Sequence, residues 1–229
     1  PSAADLVSIG LEGAQIETNA MTNTTYVFFA LSALVIFTFG LVNVGTTYIL
    51  RNMVKGDPVF VVSDFFYAIR RNWKQALPFG ILDAFLLVLI PFDLVYLYTA
   101  GGQLLLGIFF GIMVVVAILY FWMRFYIYLQ MVTFRLSLYK ILKNSLIFAL
   151  IGWKRNLMAT LGIALLVFLN LALAFGFSGI FSAMAILLPI LLLFSNGAFM
   201  STYAAYYKIK EIMIDPYEVQ TPDAEENPA

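Results

Sequence analysis

Five apolar runs dominate this chain, at about 25–50, 77–99, 103–125, 157–177 and 180–207. A helix needs roughly 20 apolar residues to cross the hydrocarbon core of a bilayer, where no water can satisfy an open backbone. Each run reaches that length. Composition agrees, since 62% of the 229 residues are hydrophobic and 11% charged, against roughly 25% charged in a soluble domain. The expected fold class is all-α, a polytopic transmembrane helical bundle with five spans.

The 13 basic residues fall into three groups. Arg51, Lys55, Arg70, Arg71 and Lys74 separate the first two spans. Arg124, Arg135, Lys140, Lys143, Lys154 and Arg155 lie at or between the third and fourth, and Lys208 and Lys210 follow the fifth. Five spans put all three groups on one side. The other side, residues 1–24 and the glycine turns at 100–102 and 175–179, has no Lys or Arg. The positive-inside rule makes the basic side, and the C-terminus with it, cytoplasmic.

Residues 25–213 therefore read as the transmembrane domain. Residues 1–24 read as an external segment and 214–229 as a disordered, acidic cytoplasmic tail. The chain starts at Pro1, which admits three readings: loss of a preceding span (six spans in the intact protein), processing, or a start at Met21.

Two charged stretches have helical patterning. In 63–75, Phe65, Phe66, Ile69 and Trp73 share one face and Arg70, Arg71, Lys74 and Gln75 another, with Ser63 or Asp64 placed to cap the start. Residues 138–152 repeat the pattern with Lys140 and Lys143. Such helices lie in the inner headgroup layer or pack on the ends of the protein's own spans, and the two readings are compatible. A candidate cytoplasmic membrane or partner face thus comprises Arg70, Arg71, Trp73, Lys74, Lys140, Lys143, Lys154 and Arg155. An offset of 84 aligns Arg51 with Arg135, Arg71-Asn72 with Arg155-Asn156 and Leu77 with Leu161, a weak direct repeat.

There is no His and no Cys. That excludes His-based triads, thiolate and imidazole metal sites, haem ligation and disulfides. Zero net charge and the lack of a nucleotide motif argue against nucleic acid and an ATPase of its own. No enzyme activity, cofactor or metal is expected. The polar residues within the apolar runs are the remaining candidates: Asp83, Asp93, Asn43, Arg124, Asn170 and Asn196. Asp83 lies some six residues inside the second span. It reads either as a polar contact within the bundle or as a proton or cation site, and Arg124 either pairs with it or reaches the inner interface. Asp93 reads as a headgroup-level residue or as a cap on a break at Pro91. Gly107 and Gly111 form a GxxxG pattern that permits close helix approach.

Gly45-Thr46-Thr47-Tyr48, Arg51 to Asp57, Ser63 to Phe66, Arg71 to Ala76 and Phe92 to Tyr96 resemble the YesL family of bacterial membrane proteins. The resemblance covers 40–98, and the later span pattern extends it to about 213. It implies about six helices in a bacterial cytoplasmic membrane and association with carbohydrate ABC uptake systems and their two-component regulators. It carries no catalytic residues. The expectation is an accessory component that binds a permease or sensor subunit within the lipid bilayer. The alternative is a small transporter or channel with Asp83 as its coupling group.

Overall fold

Wherever the apolar runs are described they fold as helices, the form in which a segment satisfies all its backbone groups internally. The structure is a computed structural model that describes residues 3–100, 103–176 and 193–218, together with Gly179 and Met184. Its order is α1 (Ala3–Lys55), α2 (Val61–Thr99), α3 (Leu104–Thr133), α4 (Leu138–Ile151), α5 (Trp153–Gly176), α6 (Phe194–Ile209), a π-helical turn (Lys210–Ile214) and a last turn, α7 (Asp215–Glu218). Among the described residues four helices are long and apolar enough to cross a membrane: Asn23–Lys55 within α1, then α2, α3 and α5. The fifth expected span is described from 193 onward, where it becomes α6. Its earlier part lies outside the described residues, as do 101–102 and 177–178 in the glycine turns and 219–229 of the tail.

Local chemistry sets the helix ends. Gly56 adopts φ +83, and the Gly56 and Asp57 amides donate to the carbonyls of Met53 and Asn52, closing α1 with a Schellman motif. Pro58 follows, and α2 begins at Val61, two residues before the expected start. Asp64 accepts a hydrogen bond from the Phe60 amide at 2.9 Å, a reach-back cap.

The amphipathic stretch 63–75 and the second span form one continuous helix of 39 residues, roughly 58 Å long. This corrects two expectations, a separate surface helix and a break at Pro91. Pro78 and Pro91 both lie inside α2. Each removes one donor, freeing the carbonyls of Lys74 and Leu87, and α1 packs against Ala76 and Gly80 on both sides of Pro78. The packed face also differs from the expected one. Ala68, Ala76, Phe79, Gly80 and Asp83 are buried, while Phe66 and Trp73 are exposed. Small residues hold this face because α1 comes too close for an indole. A Cβ on Gly40 would meet the Ala76 carbonyl oxygen and, at 2.6 Å, the Gly80 Cα; Gly45 sits against the Phe65 ring.

α3 is the central helix, touching α1, α2, α4 and α6. Only its last part is buried, from Phe125 to Val132. α4 packs on it through Ile141, Ser145, Phe148 and Ala149, leaving Lys140 and Lys143 exposed. Gly152 separates α4 from α5. The core therefore sits at one end of the bundle, around Val44, Phe79, Tyr126, Leu129, Ile141 and Ile209.

The three basic groups gather at that same end. Arg51 donates to the Val132 carbonyl, Gln75 to the Leu136 carbonyl, and Arg155 pairs with Glu211. Towards the other end the helices expose Phe28, Phe29, Phe85, Phe92, Leu105 and Phe168. An apolar surface of that extent suits lipid and not water.

Candidate functional site

An isolated carboxylate in an apolar bundle is costly, so its partners define the first place to look. Asp83 on α2 is 0% exposed. Its partners come from one face of α3, where Tyr120, Arg124 and Tyr128 recur at i, i+4 and i+8. Arg124 approaches through Nε at 2.8 Å to Oδ1 and Nη2 at 3.2 Å to Oδ2, a two-pronged contact. The Tyr120 hydroxyl donates to Oδ1 at 2.6 Å and the Tyr128 hydroxyl to Oδ2 at 2.7 Å. Each carboxylate oxygen thus accepts two bonds. Phe39 of α1 places its ring 5.9 Å from the Arg124 guanidinium carbon, and the Phe79 ring packs edge-on against Tyr128. The cluster fastens three helices together.

The adjacent face of α3 carries a second polar row with the same spacing. Trp122 donates to Thr160 at 3.0 Å, Tyr126 to Asn156 at 2.7 Å and Gln130 to Ser145 at 3.1 Å. Asn156 in turn donates to the Ala149 carbonyl across the α4–α5 junction. Gln130 Oε1 is buried without a partner among the described residues.

The expected polar residues do not form one site. The structure joins Asp83 and Arg124 only. Asp93 lies ten residues further along α2, about 15 Å away. Asn43 donates to the Phe39 carbonyl within its own helix, and Asn170 and Asn196 lie on α5 and α6. Gly107 and Gly111 have nothing within 4 Å of a built Cβ, so the GxxxG pattern makes no close helix contact among the described residues. Sequence alone does not single out the tyrosine partners of Asp83. Their signal is the Tyr120-Arg124-Tyr128 period, visible once α3 is read as a helix with a polar stripe.

The eight residues of the expected basic face lie at the basic end, but not as one surface. Arg70, Arg71, Trp73 and Lys74 belong to α2, Lys140 and Lys143 to α4, and Lys154 and Arg155 to α5. Lys74 lies over Trp73 and Lys154 over Trp153, at 6.0 and 5.7 Å. Between α2 and the α3–α4 connection opens a cleft of about 750 Å³, bordered by Arg71, Lys74 and Arg135.

These features define an all-α class, with four helices among the described residues suited to a lipid bilayer and a buried ion pair joining two of them. A family model described as "Protein of unknown function, DUF624" matches residues 19–94. That third of the chain runs from within α1 to Leu94 of α2 and includes Gly40, Gly80 and Asp83, but not Arg124. No curated protein and no solved structure matches the chain.

Proposed function

We propose that this protein is a multi-pass component of a bacterial cytoplasmic membrane, without catalytic activity of its own. It assists carbohydrate uptake by binding a permease or sensor subunit through its basic end. The four apolar helices support the membrane placement. The contact of Arg155 at the start of α5 with Glu211 just beyond α6 supports a fifth crossing, because the chain must return to the basic end after Gly176. By the positive-inside rule that end faces the cytoplasm.

The observation that carries the reading is the closure of the Asp83 cluster. A coupling group in a transporter has to exchange a proton or ion with water on each side in turn. Asp83 is fully buried and held by four hydrogen bonds, the arrangement of a fastener. The charged surface left for partners is at the basic end. The assignment to sugar uptake rests on the resemblance over 40–98. Purification of the tagged chain from sugar-induced cells is expected to recover a permease or sensor subunit, and recovery of neither would overturn the accessory role. Solute flux in proteoliposomes that disappears in Asp83→Asn would favour the transporter alternative instead.

A further inference from the structure

We propose that the cleft between α2 and the α3–α4 connection is a binding site for a phosphate-bearing anion, held by Arg71, Lys74 and Arg135. The site stands whether or not the protein serves sugar uptake. Three observations converge on it.

The first is charge without compensation. The acids near this end whose side chains are described are engaged elsewhere: Asp57 by Lys55, Glu211 by Arg155 and Lys208, Asp215 by Lys210, and Asp64 by the Phe60 amide. Among the described residues no carboxylate lies within 4 Å of Arg71, Lys74 or Arg135, and none lines the cleft. Three cations from two separate elements border one cavity, and an anion is what that field attracts.

The second is that the cleft is built. Gln75 donates to the Leu136 carbonyl at 2.9 Å, tying the connection that carries Arg135 to α2. Ser137 also lines the cleft, and it precedes α4, a helix of 14 residues with no acid in its first turn. Its hydroxyl makes no capping bond. The positive end of α4 is therefore unneutralised where the cleft opens, which adds to the three side-chain charges.

The third is depth. Arg71 and Lys74 precede the apolar part of α2, which begins near Leu77, by six and three residues, about 9 and 4.5 Å along the axis. A headgroup layer is roughly 5–8 Å deep on each side of the hydrocarbon core. Lys74 thus lies within the headgroup layer, and Arg71 lies just beyond it, close enough for its long side chain to reach a lipid phosphate. The cleft is also open to phosphate from solution, so the two sources share one chemistry.

The test uses the full chain in nanodiscs. In phosphatidylcholine discs containing phosphatidylglycerol, native mass spectrometry reads the lipid that stays on the released protein. In discs of phosphatidylcholine alone, radiolabelled inorganic phosphate reads binding from solution. The variants are R71Q/K74Q/R135Q and a control of equal charge loss outside the cleft, K55Q/K208Q/K210Q, whose lysines are already paired with Asp57, Glu211 and Asp215. Each juxtamembrane cation contributes about fivefold, so the cleft triple variant should bind on the order of 100-fold more weakly while the control keeps most of its binding. Phosphatidylglycerol retention with that pattern identifies a lipid headgroup as ligand, and phosphate binding with that pattern identifies a soluble one. Binding of neither probe by the unmodified protein, or equal loss in both triple variants, would overturn the site. Should the cleft triple variant aggregate, Arg135→Gln alone, in an exposed connection, is expected to weaken binding about fivefold. An unchanged affinity there overturns the site equally.

Discussion

Replacing Arg124 by Met removes the guanidinium from Asp83 and leaves a carboxylate fully buried beside two tyrosine hydroxyls. Removing one partner of a buried ion pair costs about 3–5 kcal/mol, most of it from the charge left behind. Loss of the contact with the Phe39 ring adds roughly 0.5–1 kcal/mol. The expected fall in midpoint is on the order of 10 °C, at about 2–4 °C per kcal/mol for a chain of this size. Asp83→Met should cost a similar amount by stranding Arg124. The double variant removes both charges and should recover only part of the loss, because the Tyr120 and Tyr128 hydroxyls that donate to Asp83 are left without an acceptor, at about 1–3 kcal/mol each. The assay is thermal unfolding of the four proteins in one detergent, read by circular dichroism, with the coupling taken from the cycle. Additive losses, or single variants that each cost less than about 1 kcal/mol, would refute the view that this pair fastens α2 to α3.

Three further outcomes follow from packing. Gly40→Ala drives a methyl group into the Ala76 carbonyl and the Gly80 Cα, backbone atoms that cannot turn aside, and should cost about 1–3 kcal/mol or more in the same unfolding assay. Gly107→Ala and Gly111→Ala meet nothing within 4 Å and should be neutral or stabilising by up to about 1 kcal/mol; marked destabilisation by either would show a close helix contact there. Gln130→Met with Ser145→Ala removes one hydrogen bond and the unpaired Gln130 Oε1 together, so the pair should lie within about 1 kcal/mol of the parent by chemical denaturation, whereas Ser145→Ala alone should lose more.

The helical class was legible in the sequence, and the pairing of Asp83 with Arg124 was one of the two readings it left open for Arg124, for one physical reason. Apolar runs need an apolar solvent, and ionisable groups inside them need a counter-charge. The tyrosines were not legible, because a Tyr in an apolar run serves equally as packing, as an interface anchor or as a hydrogen-bond donor. The continuity of α2 was hidden by the change from charged to apolar composition at Ala76 and by Pro78, both of which suggest a boundary. The Gly40–Gly80 crossing was hidden because its two halves lie on different helices, while the local pattern at Gly107 and Gly111 drew attention to an open face. Composition reports where a segment can reside. It does not report which neighbour it meets.

The Asp83–Arg124 pair also constrains how the chain can be inserted. On its own, α2 would present a lone carboxylate to hydrocarbon and α3 a lone guanidinium near its end, each opposed by up to about 2.5–3.5 kcal/mol, the cost at the centre of a span. Only residues 100–103 separate the two helices. Entering as a hairpin, they neutralise each other before either meets lipid alone. The two helices are thus expected to be released into the membrane as one unit, with the α2–α3 turn crossing first and the two tyrosines closing the contact behind it.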